Sequence, residues 1–107
     1  MKEKEFINII NFALYICAQD GIISETESDK IYELINKEYK FTRKKFDSLI
    51  DDFFSSEDFL EDHIGRLSND VQKKLALKIS KESASSDGLD IRENIAFCKA
   101  EVILGNL

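Results

Sequence analysis

The chain contains no proline and only four glycines in 107 residues. Hairpin-rich β architectures take their corners from glycine and proline, so this scarcity leaves little turn chemistry for a sandwich or barrel and suits continuous helices. Basic charge is also short. Fifteen Lys and Arg face 21 Asp and Glu, for a formal net charge of −6 and a sequence pI near 4.8. Phosphate binding needs a basic surface, so no nucleic-acid partner is expected, and a basic protein surface or a cation suits the chain better. The two cysteines, Cys17 and Cys98, are too few and too far apart for a disulfide framework. Both fall in apolar helical patterns and are expected to be buried free thiols in a reducing cytoplasm. The one histidine, His63, has no second His or Cys at metal spacing and is expected to be a hydrogen-bonded core residue. No nucleophile or acid/base pair is marked by spacing, so no catalytic residue is expected and the protein is read as non-enzymatic.

The longest apolar run, Phe6 to Cys17, has ten apolar residues in twelve. It is too short to span a bilayer, Asn8 and Asn11 interrupt it, and the preceding Lys2-Glu3-Lys4-Glu5 balances its charges. Neither membrane insertion nor a secretion signal is expected.

At this length a single domain buries roughly 65% of the surface its unfolded chain would expose, enough for one core. The hydrophobic periodicity predicts one compact all-α domain, residues 1–107, of about six helices. The first runs from about Lys4 to Gln19 and is apolar on nearly every face, so it should be central. The second follows Ser24 and turns Ile31, Leu34 and Ile35 inward. The third begins near Thr42 with the stripe Phe46, Leu49, Ile50, Phe53. The fourth opens at Ser55-Ser56 and carries Leu60, Ile64 and Leu67. The fifth opens at Ser68 with Val71, Leu75 and Ile79 inward. The sixth carries Ile91, Ile95, Cys98 and Val102 inward and stops at Gly105.

One pattern occurs twice. Ala18-Gln-Asp20-Gly21-Ile-Ile-Ser24-Glu-Thr-Glu27 is matched by Ser85-Ser-Asp87-Gly88-Leu-Asp90-Ile-Arg-Glu93. Each glycine can take the left-handed conformation that closes a helix. Ser24 with Glu27, and Asp90 with Glu93, have capping-box spacing for the helix that follows, each cap worth on the order of 1 kcal/mol. The aspartate before each glycine sits at the negative end of the helix dipole. Two readings of it stand side by side: a hydrogen bond to the backbone of the next turn, or a divalent cation shared with nearby carboxylates. Neither loop has the alternating ligands of an EF-hand.

The string Ala18-x-Asp20-Gly21-x-Ile23-Ser24-x-x-Glu27, followed by Asp87-Gly88-Leu89-Asp90-x-x-Glu93, resembles the TerB-like family of tellurite-resistance proteins and DjlA-type co-chaperones. The resemblance implies paired helical hairpins and a role in stress response or in protein complexes at membranes. It further implies a divalent metal at the acidic positions of the Asp-Gly loops, here Asp20, Glu27, Asp87 and Glu93.

Between the two units, residues 51–62 hold six acids, Asp51, Asp52, Glu57, Asp58, Glu61 and Asp62, and no base. Lys37, Lys40, Arg43, Lys44 and Lys45 lie upstream, so the third helix is charged against its own dipole. Aromatic residues interleave the acids. Phe54 with Asp51, Asp52, Glu57, Asp58, Glu61 and Asp62 is therefore the expected docking surface for a protein partner with a basic surface. Two functions fit it: a helical module working through protein contacts in bacterial stress response or defence, or an acidic immunity protein covering the active site of a toxin nuclease.

Overall fold

With apolar side chains on nearly every face, α1 (Glu3–Cys17) has no side that prefers water, and the rest of the chain wraps it. In the computed structural model, which describes residues 1–86, 88 and 91–105, it is followed by α2 (Glu25–Asn36), α3 (Arg43–Ser55), α4 (Leu60–Gly65), α5 (Asp70–Ala84) and α6 (Ile91–Leu104). No strand occurs among the described residues. The fold is all-α, and α1 touches every other helix. Ile9, Ile10, Phe12, Ala13, Leu14, Ile16 and Cys17 are wholly buried along it. None of the helices is long and apolar enough to cross a membrane.

Local chemistry sets most helix starts. Ser24 Oγ accepts from Glu27 N–H at 3.1 Å while Glu27 Oε1 accepts from Ser24 N–H at 3.0 Å, so the expected capping box opens α2. Thr42 Oγ1 accepts from Lys45 N–H at 3.1 Å and opens α3. The turn between them is held by Asn36, whose Oδ1 accepts from Phe41 N–H at 2.8 Å, and by the Tyr32 hydroxyl, which donates to the Phe41 carbonyl at 2.8 Å. The cations at the start of α3 are partly offset: Arg43 donates to Asp29 at 2.8 Å and to Asp47 at 3.0 Å and lies over the Tyr32 ring.

Three expectations give way to packing. The fourth helix begins at Leu60 and not at Ser55-Ser56, because the hydroxyls of Ser55 and Ser56 donate back to the carbonyls of Asp51 and Phe53 and finish α3. Asp62 Oδ2 then caps α4 by accepting from Phe59 N–H at 2.8 Å. In α5, Val71 points outward at 65% exposure, and the buried face is Gln72, Ala76, Ile79, Ser80, Ser83 and Ala84. That face is small, which lets α5 close on both α1 and α2. Its one long polar member, Gln72, is satisfied: Oε1 accepts from the Ser68 N–H and hydroxyl, and Nε2 donates to Glu5 of α1. In α6 the expected inner stripe is the outer one. Ile91, Ile95, Cys98 and Val102 are exposed, and Glu93, Ala96, Phe97 and Ala100 are buried against α5 and α1. Cys17 is buried as expected, whereas Cys98 is not.

Candidate functional site

The first Asp-Gly turn is closed by its own backbone chemistry. Gly21 stands at φ 89° and Gly88 at φ 95°, the left-handed region that a Cβ disfavours. Asp20 is exposed, and its Oδ1 accepts from Ile22 N–H at 3.2 Å, which ties it to the turn as the backbone reading has it. Asp87, and Asp90 with its proposed cap, lie outside the described residues.

The two glutamates of the repeat behave differently from Asp20. Glu27 and Glu93, each in the first turn of its helix, are both buried at 4% exposure. They converge on the end of α1, where a carboxylate oxygen from each and Cys17 Sγ lie within 4.8 Å of one another. One oxygen of Glu27 takes the Ser24 N–H, and the other, Oε2, is buried with no hydrogen-bond partner. The family-implied metal residues thus divide: Glu27 and Glu93 are brought together, and Asp20 is left at the surface. Cys17 joins them unannounced. It stands three residues before Asp20, where the second unit has the buried Ala84, and in the sequence it reads only as one more apolar position of the first helix.

The acidic segment spreads over the end of α3, the connection 56–59 and α4. Asp51, Asp52 and Glu57 are exposed and take part in no ion pair among the described residues. Asp58 is half-buried and paired with Arg66 at 2.8 Å, Glu61 pairs with Lys99 of α6 at 3.8 Å, and Asp62 is occupied by its cap. The aromatic residues between them stay open to solvent: Phe59 is 70% exposed and Phe54 48%, while Phe53 is half-buried with its ring edge against Phe54.

These side chains line two adjoining concavities. One, of about 370 Å³, lies between α4 and α6 with Phe59, Leu60 and Glu61 on one side and Arg92, Ile95 and Lys99 on the other. The second, of about 230 Å³, is formed by Phe53, Phe54, Ser56 and Asp58 against Ala18 and Gly21. Tyr15 and Gln19 border both, which makes them one bent groove. The periodicity of the sequence does not reveal the contribution of α6, because it places Ile95 on the inward stripe, whereas Ile95 is 62% exposed.

His63 forms the floor beside the groove, at 2% exposure between the rings of Tyr15 and Phe53. Arg66 donates to Nδ1 at 3.4 Å, so the neutral ring carries its proton on Nε2, which is buried without a partner. Burial lowers its pKa below the ordinary value and the Arg66 charge lowers it further, while Asp58 and Asp62 pull the other way. The unfolded chain therefore binds the extra proton more readily than the folded one. As pH falls below about 6.5, His63 should withdraw stability at up to about 1.4 kcal/mol per pH unit until the folded-state value is reached. Urea unfolding of wild type and His63→Leu at pH 7.5, 6.5 and 5.5 checks this. The variant should show a flatter dependence over that window, and parallel curves would mean that His63 does not set it.

Comparison of the chain with protein-family models, curated proteins and solved structures gives no match.

Proposed function

We propose that this chain is a non-enzymatic docking module whose groove takes a basic amphipathic helix from a partner protein. The observation that carries it is the coincidence of open apolar side chains, Phe54, Phe59 and Ile95, lining the concavities with three exposed acids, Asp51, Asp52 and Glu57, that neighbour the lining residues Phe53, Phe54, Ser56 and Asp58 in the chain and pair with no cation among the described residues. Exposed aromatics at a concave site supply the anchoring area that hot spots use, and unpaired acids select and steer a cationic partner. A helix presenting apolar residues along one face, with Lys or Arg beside them, matches both features. The TerB-like pattern of the Asp-Gly units supports a setting in bacterial stress response or defence. An inhibitor of a toxin nuclease would use the same acids, but the open apolar side chains Phe54, Phe59 and Ile95 line a recess, which favours a projecting helix over an enzyme's own cleft.

A fluorescent helical peptide built from Leu and Lys on opposite faces tests the proposal by anisotropy, with a Leu and Glu peptide as control. The cationic peptide should bind, more weakly as salt rises, and the anionic one should not. Phe59→Ala should weaken binding by about 30-fold, the ~2 kcal/mol of a hot spot. Asp51→Lys with Asp52→Lys and Glu57→Lys should chiefly slow association. Equal binding of both peptides, or a Phe59→Ala variant indistinguishable from wild type, would overturn the proposal.

A further inference from the structure

Two glutamates that open different helices have no packing reason to meet. Each first-turn glutamate needs only one oxygen to cap its own helix, and a capping box works as well at the surface as inside. Here both are driven to 4% exposure beside a fully buried thiol. Burying carboxylates together costs free energy unless something positive or a hydrogen-bond donor meets them. Among the described residues no Lys, Arg or His pairs with Glu27, and its Oε2 is buried without a donor. Among the described residues, Glu27 Oε2 is thus an acceptor with no donor aimed at it.

We infer that Cys17, Glu27 and Glu93 form a binding site for a thiophilic divalent cation, zinc being the best fit. The chemistry of the donors selects the metal. One sulfur and two carboxylate oxygens suit zinc or cobalt(II), whereas calcium and magnesium take oxygen ligands alone and in greater number. The dimensions agree. Zinc–sulfur and zinc–oxygen bonds of about 2.3 and 2.0–2.2 Å place neighbouring donors of a tetrahedron roughly 3.4 to 3.7 Å apart. Donor atoms already within 4.8 Å close that gap by rotation about the glutamate side-chain bonds. Charge agrees as well: on binding, the Cys17 thiol releases its proton to solvent, and the dication cancels two of the three negative charges that the thiolate and two carboxylates gather in one buried place. The site differs from an Asp-Gly loop site in its ligands. Asp20 is committed to the turn, and the sulfur comes from α1. The metal would tie the end of α1 to the first turns of α2 and α6, with Ala84 at the equivalent place of the second unit supplying no ligand.

The test uses the full chain carrying Cys98→Ser, so that Cys17 is the one remaining thiol, with cobalt(II) and zinc as probes. Cobalt should produce a thiolate-to-cobalt charge-transfer band in the near ultraviolet, and zinc should bleach that band and raise the melting temperature. Millimolar calcium or magnesium should do neither. Glu27→Gln in the same background should weaken cobalt binding by at least about tenfold, and Cys17→Ser should abolish the band. A folded Cys98→Ser protein that shows no charge-transfer band at millimolar cobalt would overturn the inference, whatever the other variants do. So would zinc stabilisation left intact by Cys17→Ser. The groove is not part of this site, and Phe59→Ala should keep the band, so failure of peptide docking and failure of metal binding are separate results.

Discussion

Phe12→Ala should destabilise the protein by about 3–5 kcal/mol. Phe12 is wholly buried on α1, the helix that every other helix packs against. Removing its ring takes away apolar burial and leaves a cavity that the surrounding helices cannot all close at once. Domains of this size hold together by roughly 5–15 kcal/mol, so the loss is a large fraction of the total. At about 4–8 °C per kcal/mol, the melting temperature should fall by on the order of 12 to 40 °C. Thermal and urea unfolding followed by circular dichroism read both quantities. A loss under about 1 kcal/mol would mean that α1 is not the centre of the core.

That helix is also where the sequence speaks most clearly. An apolar run with substantial area on every face can be stable only when covered all round, so its central place follows from composition before any contact is known. Caps are similarly legible, because the hydrogen bonds that open α2 and α3 lie within three residues of one another, as with Ser24 and Glu27 or Thr42 and Lys45. The acids and phenylalanines of residues 51–62 could be picked out as a surface for the same local reason: so many charges cannot enter a small core, and they carry their aromatic neighbours outward.

What the sequence leaves undecided is the choice between two apolar faces of one helix. Each of α5 and α6 carries a large aliphatic face and a face of small residues, and periodicity alone favours the larger one. In α6 the structure chooses the small one, and in α5 it keeps Ile79 inside with Ala76, Ser80 and Ser83 and turns Val71 out. Ala76, Ser80 and Ser83, like Ala96 and Ala100, let two helices approach where Val71 or Ile95 would hold them apart. This single choice hides the groove wall contributed by α6. It also hides the cluster at Cys17. Glu93 reaches Cys17 and Glu27 only with α6 turned to bury Ala96 and Ala100, so the three donors are close in space while Cys17 and Glu93 are 76 residues apart in the chain.

Ala100→Phe puts that choice to a direct test and should cost about 3 kcal/mol, at the upper end for overpacking. Ala100 is wholly buried on the face that α6 turns to its neighbours, and a phenyl ring there must push the helix away or be forced off its preferred rotamer. Two residues on, Val102 is 81% exposed, and Val102→Ala should stay within about 0.5 kcal/mol of wild type. If the large stripe faced inward instead, the order of the two effects would reverse, since the alanine would be free and the valine buried. The comparison reaches both sites. Ala100→Phe should weaken peptide docking, because a displaced α6 carries Ile95 and Lys99 away from Phe59 and Glu61. It should weaken cobalt binding too, because the same displacement draws Glu93 from Cys17. Val102→Ala, on the exposed face of the same helix, should leave docking and metal binding at their wild-type values.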